Sequence, residues 1–341
     1  MDLPWQTEDD GEGSVQETLA SSVLMVDDEP VVRDVFARLL SRETDISLIL
    51  AEDAETAVEL LRTHRFDVLI TDKNLPGMGG IELIAEARAV RPMIEAIMIT
   101  GYASAESVIA AFAAGASDYL VKPFDDLRVV RAKIRAALER RSQRAKNRDL
   151  ARTTARQAQE LLAQGRDAPE PAWQKLEGTF SDYERAIREG SKGSVVVVGS
   201  EDAVRVLTQA GFEAQRVGEN SPLVRYADVI VIEASASDWR SLAEKLQENP
   251  ADVLLLASPR SDLSDLLEAI SLRIDLIGFG GRAPAEALPD RVRSVLMRRA
   301  VERAQTDLAA ALGEFRHVLE HRQSTPQEPA EDKKQGGLGT P

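Results

Sequence analysis

The stretch FDVLITDKNLPGMGG, residues 66–80, decides how the chain is read. Val68, Leu69, Ile70 and Thr71 form a short run of buried-strand character that stops on Asp72. Pro76, Gly77, Gly79 and Gly80 follow, and these are loop-forming residues. A carboxylate is therefore expected at the C-terminal end of a buried strand. In an open parallel sheet, ligands and chemistry gather at that edge.

Outward from this stretch the pattern repeats. SVLMV (22–26) is strand-like and leads into Asp27, Asp28, Glu29 and Pro30. VVRDVFARLL then sets Val32, Val35, Phe36, Leu39 and Leu40 on one helical face. Pro30 and the acids before it suit a helix start. ISLILA (46–51) reads as a strand and AETAVELLRTH (54–64) as a helix. IELIAEARAV (81–90) is a helix and AIMIT (96–100) a strand. SAESVIAAFAAG (104–115) is a helix closed by Gly115, and DYLV (118–121) a strand before Lys122-Pro123. Five β-then-α units predict a parallel sheet with helices on both faces. Asp27, Asp28, Asp72, Thr100 and Lys122 then converge on one edge of it.

Residues 126–165 read as one long, strongly basic helix continuing from the last helix of this unit. A heptad reading runs Leu127, Val130, Ile134, Ala137, then Arg141, Arg144 and Arg148, then Ala151, Ala155, Ala158 and Leu162. Three arginines at core positions favour a solvated linker over a coiled-coil dimer seam. DNA binding ranks third, since no reader motif accompanies the basic residues. GRDAPEP (165–171) reads as a loop, and 172–190 as a helix carrying Trp173, Leu176, Phe180, Tyr183 and Ile187.

A second βα series follows. Strands are expected at 194–200, 212–218, 227–235 and 251–258 and a strand and loop at 275–281, with helices at 201–211, 238–249 and 262–272. Pro289 to about Arg322 reads as a long terminal helix. Residues 1–20 and 323–341 have the composition of disordered tails, the first of them acidic.

The totals set bounds. A chain of 341 residues accommodates two domains with linkers. With no cysteine, disulfides, thiolate metal sites and a cysteine nucleophile are excluded. The net charge of −15 argues against broad attraction to nucleic acid or anionic membrane. No signal-peptide pattern and no run of membrane-spanning length is found, so a cytoplasmic protein is expected. His317 and His321 are four apart, but Val318 follows the first where a zincin needs Glu, and both read as surface residues.

Two carboxylates after one strand and a third after another suit a hard divalent cation such as Mg²⁺. A phosphoryl group brings anionic oxygens to the same ion, and attack by Asp72 on phosphorus would give an aspartyl phosphate. The transferring group needs a cation and donors, which Lys122 and Thr100 supply. Any one of these residues alone would serve as a helix cap or surface group. All of them, each at a strand end, are harder to attribute to caps.

These motifs resemble the receiver domain of two-component response regulators. VDDEP (26–30) resembles the family's acidic turn, DKNLPGMGG (72–80) its phosphoacceptor loop, ITGYAS (99–104) its switch loop, and YLVKPF (119–124) its lysine motif. The spacings between them agree. The resemblance implies a flavodoxin-like (βα)5 receiver at 21–140, with Asp72 as phosphoacceptor. It implies that Asp27, Asp28 and Asp72 bind Mg²⁺ together with the backbone carbonyl of Asn74. Thr100 would hydrogen-bond the phosphoryl group, Tyr119 would act as an aromatic switch, and Lys122 would pair with phosphoryl oxygens. Asn74 and Tyr102 occupy positions that tune dephosphorylation in the family. The implied partners are a sensor histidine kinase or phosphotransfer protein, a downstream protein, and a second copy of the chain. No enzyme activity beyond the receiver's own autophosphorylation and autodephosphorylation is implied.

The second half resembles the first. SVVVVGSEDAVRVL (194–207) aligns with SVLMVDDEPVVRDV (22–35), and ADVIVIEAS (227–235) with FDVLITDKN (66–74). Gly199 and Ser200 then replace the acidic pair, Glu233 replaces Asp72, and Phe279 or Gly280 falls where the lysine belongs. Residues 190–322 therefore resemble a degenerate, flavodoxin-like receiver, although any α/β domain of this class alternates in the same way. Glu233 as a built-in negative charge is an added expectation. Two other readings stay open: an enzyme or nucleotide-binding effector gated by the receiver, and a transcription regulator acting through the basic helix.

Overall fold

In the computed structural model, β1 (Ser21–Val26) is buried from Val23 onward and pairs in parallel with β2 (Ile46–Ala51) and β3 (Val68–Asp72). β4 (Glu95–Thr100) and β5 (Asp118–Val121) complete a parallel sheet of order β2-β1-β3-β4-β5. Helices α1 (Pro30–Leu40), α2 (Ala54–Thr63), α3 (Gly80–Val90) and α4 (Ala105–Ala113) alternate with the strands. The structure describes residues 20–164, 170–190, 193–218, 221–234, 239–240, 242, 252–258, 260–272, 274–278 and 287–324.

Each helix starts for a local reason. Pro30 opens α1 with its φ preset. Asp53 caps α2, its carboxylate accepting from the Thr56 N–H at 2.8 Å. Ser104 and Ser107 form a reciprocal capping box on α4.

Helix α5 (Leu127–Gln164) covers one sheet face at first. Val130, Ile134 and Ala137 join Val23, Met25, Phe36 and Ile97 in one apolar cluster. The apolar heptad positions nearest the receiver are thus spent on the chain's own core. Cations along the same helix meet acids of the sheet. Arg140 Nε lies 2.9 Å from the Glu95 carboxylate, Arg144 pairs with the same group, and Arg141 reaches Asp67 at 3.7 Å. Lys133 meets Asp118 at 2.5 Å, and Arg135 meets Asp45 at 2.5 Å as well as Glu43. Over residues 133–144 the expected solvated helix is also an ion-paired one, with Lys133, Arg140 and Arg141 mostly covered and Arg135 and Arg144 nearly half exposed. These cations neutralise acids at the N-terminal edge of the sheet, which heptad spacing cannot reveal. Glu95, expected just outside its strand, is its fully buried first residue.

A second parallel sheet follows: β6 (Val195–Val198), β7 (Ala214–Val217), β8 (Val229–Glu233), β9 (Asp252–Ala257) and β10 (Asp275–Gly278), in the order β10-β9-β8-β6-β7. Read from its other end, this is the order of the first sheet. Helices α7 (Glu201–Gln209) and α8 (Leu263–Ser271) and a 3-10 turn at Pro222–Tyr226 lie between the strands. The helix expected at 238–249 and the loop at 279–281 fall mostly outside the described residues, as do the two tails.

The N-terminal edge repeats the ion pairs of the first sheet. Arg291 meets Asp275 at 2.5 Å, Arg298 meets Asp252 at 2.6 Å, and Arg299 lies 3.3 Å from Asp252 and 3.8 Å from Asp228. Arg291, Arg298 and Arg299 have the spacing of Lys133, Arg140 and Arg141. Asp228 accepts the Ser194 N–H at 2.9 Å, as Asp67 accepts the Ser22 N–H at 3.0 Å.

Both sheets belong to one compact unit, residues 1–150 with 190–299. The other unit comprises residues 151–189 and 300–341. Its described part is helical: the remainder of α5, α6 (Glu170–Glu189) and the remainder of α9 (Ala287–Ser324). Helix α6 begins two residues before its expected start. Ala155, Ala158, Leu176, Tyr183, Leu308, Leu312 and Phe315 are buried, and Trp173 stacks at a tilt against Phe315 at 6.1 Å. Among the described residues no helix is long and apolar enough to cross a membrane.

Candidate functional site

Strand register brings the candidate residues together. Val26 lies opposite Thr71, so Asp27 and Asp72 extend neighbouring strands side by side. Asp72 is opposite Ile99, and Thr100 opposite Val121, which precedes Lys122. All are at the C-terminal edge of the sheet.

Lys122 is the centre of the cluster. Its Nζ lies 2.8 Å from Asp72 Oδ1, 2.9 Å from Asp27 Oδ2 and 2.9 Å from Glu29 Oε1. Burial alone would lower the pKa of the ammonium. The carboxylates of Asp72, Asp27 and Glu29 around it outweigh burial and hold the group well above its ordinary value. Burial pushes the Asp27 carboxyl up, against the contributions of Lys122 and the Glu29 N–H. Asp27 Oδ1 accepts that N–H at 2.9 Å. Asp72 Oδ2 accepts the Asn74 N–H at 2.6 Å.

The loop after Asp72 is held by sterics. A Cβ on Gly80 would sit 2.0 Å from the Asp72 carbonyl oxygen, so only glycine lets α3 start this close to the strand. Gly77 has φ +74°, the left-handed region. Buried Leu75 ties the loop to the core.

Thr100 is fully buried, and its hydroxyl exchanges hydrogen bonds of 3.2 Å with the backbone of Tyr102. Tyr119 is buried with its hydroxyl 3.0 Å from Ser107 Oγ. Burial raises the pKa of this phenol, against hydrogen bonds from Ser107 and Thr100.

Asp28 is exposed and takes no part in the carboxylate cluster around Lys122. Its carbonyl and that of Asp27 accept from Arg33 Nη1, at 3.0 and 2.6 Å. Glu29 and Arg33 were missed by sequence reasoning. The third acid of DDEP was available as a signal, but it reads equally well as a helix start.

Among the described residues no three His, Cys, Asp or Glu side chains are arranged as a ready metal cage. The Lys122 ammonium lies among the carboxylates instead. The donor set nonetheless fits a hard cation. Asp27 Oδ2 is buried and, despite its proximity to Lys122, makes no well-angled hydrogen bond. It and Asp72 offer the oxygen ligands magnesium takes, with Asp28 adjacent in the chain.

Residues 23–135 match the response regulator receiver domain model. The chain is 36% identical over 120 residues to the chemotaxis protein CheY of Pseudomonas aeruginosa, covering 35% of this chain and 96% of that protein. It is 34% identical over 119 residues to the probable transcriptional regulatory protein TcrX of Mycobacterium tuberculosis, covering 35% of this chain and 50% of TcrX. It is 36% identical over 120 residues to a cyclic di-GMP phosphodiesterase of Thermotoga maritima, covering 35% of this chain and 32% of that enzyme.

Proposed function

Because the chain belongs, through residues 23–135, to the response regulator receiver domain family, we propose that it receives a phosphoryl group on Asp72 within a two-component phosphorelay. The observation that carries this reading is the Asp72 carboxylate, 2.8 Å from Lys122 Nζ at the C-terminal edge of a parallel sheet, with buried Asp27 beside it. An Asp72 oxygen attacks the phosphorus of a phosphohistidine on a sensor kinase or phosphotransfer protein. The P–O bond forms as the P–N bond breaks, and the leaving imidazole keeps the electron pair and takes up a proton. Lys122 exchanges Asp72 for a phosphoryl oxygen. Thr100 turns its hydroxyl from the Tyr102 backbone to another, and Tyr119 responds as the switch. A magnesium ion held by Asp27, Asp28, Asp72 and the Asn74 carbonyl would supply neutralising charge at the transferring group.

We also read residues 190–322 as a degenerate receiver-like domain with a long C-terminal helix, whose role is protein–protein contact. The common strand order and the repeated ion pairs at the N-terminal edge support this. At the other edge Ser200, in place of an acid, caps α7 through the Ala203 N–H at 3.2 Å.

Incubation with acetyl phosphate and Mg²⁺, followed by phosphate-affinity electrophoresis, tests the acceptor. The wild-type chain should shift and Asp72→Asn should not. Retained uptake in the variant would remove Asp72 from the role.

A further inference from the structure

Two edge strands, β5 of the first sheet and β10 of the second, lie within the same compact unit. Each follows a helix in the chain, α4 before β5 and α8 before β10. The contacts between the halves are reciprocal: α4 packs on β10, α8 packs on β5, and α4 touches α8. One apolar cluster runs through both halves, including Ala105, Val108 and Ala111 of α4 and Leu266, Ile270 and Leu276 of the second half. Element i on j with j on i is the pattern of an isologous contact between identical subunits. Here both sides come from one chain. Each open strand edge, an association hazard in isolation, has the other half's helix packed on it.

We propose that residues 193–278 are a resident partner for the α4–β5 face. They take, within the chain, the place a second copy would take, and this contact is where phosphorylation of Asp72 is read out. The inference rests on the Asp72 reading above. Its physical link is short. Thr100 and the α4 cap Ser104 share one loop, so moving the Thr100 hydroxyl off the Tyr102 backbone alters the loop that caps α4. Ser107 and Tyr119 tie α4 to β5 by a buried hydrogen bond. A shift of α4 is therefore felt by β10 and α8, which have no chemistry of their own at Asp72.

Hydrogen exchange on the full chain, with and without acetyl phosphate and Mg²⁺, separates the outcomes. Uptake is scored in parallel by phosphate-affinity electrophoresis, with Asp72→Asn as the unmodified control. The expected result is a change of about twofold or more in exchange at both 105–113 and 263–278, absent in the control. Uptake at Asp72 with exchange at 263–278 unchanged overturns the resident-partner inference and leaves the acceptor reading standing. Absence of uptake overturns both.

Discussion

The two sheets of the chain share a strand order and the chemistry of one edge, and differ at the other. At the N-terminal edge, Asp67, Glu95 and Asp118 pair with α5 as Asp228, Asp252 and Asp275 pair with α9. At the C-terminal edge the first sheet gathers Asp27, Asp72, Thr100 and Lys122, where the second has Ser200 and Glu233. The ion pairs that hold the sheet and the residues proposed for phosphoryl transfer therefore sit at opposite ends of the same strands. One end can be lost without the other.

This contrast can be broken or sharpened by substitution. The largest effect is expected from Asp72→Asn, which should abolish phosphoryl uptake, whereas Glu233→Gln should leave it at the wild-type level in the same electrophoretic assay. Next comes Glu95→Ala. Glu95 is fully buried against Arg140 and Arg144, and removing it takes charged hydrogen bonds from two partly exposed guanidiniums at a cost of about 2 kcal/mol in urea unfolding. Asp252→Ala should cost about 1 kcal/mol or less, because Arg298 is nearly half exposed and Arg299 keeps Asp228 as a partner. Equal losses would show that the two edges are held alike. Gly80→Ala should cost about 2 kcal/mol by forcing α3 away from the Asp72 carbonyl, and should slow uptake more than it lowers the denaturation midpoint.

The smallest effect is a pH dependence. Burial would raise the Glu95 carboxyl, but Arg144 and Arg140 outweigh it and hold the group below its ordinary 4.5. A carboxyl depressed in the folded state contributes stability that is complete above its unfolded value. That contribution is lost as pH falls through the lower folded value. Unfolding midpoints measured below about pH 4.5 should therefore fall more steeply for wild type than for Glu95→Gln.

Most of the first sheet was legible in the sequence because strands such as VLITD end abruptly on chemistry and loop residues. Topology then places those ends side by side. Glu29 was not legible, because an acid before Pro30 serves a helix start as well as it serves Lys122. The arginines of α5 were misread for a physical reason. Their partners are acids at strand starts 45 to 90 residues earlier in the chain, and helical periodicity carries no information about them. The contact of α4 with β10 had no local signal either, since an alanine-rich helix face reads alike against its own sheet or another.

Two sheets drawn to one plan in a single chain also pose a kinetic problem. Strands with the same apolar pattern and the same acidic start are candidates for pairing across the halves, the misassembly to which multidomain chains are prone. The cations at 133, 140 and 141 and their counterparts at 291, 298 and 299 each follow their own strands in the chain. During synthesis the first set emerges before any strand of the second sheet exists. Chain order thus gives each half its own sorting code, read by time of arrival rather than by differences in the strands.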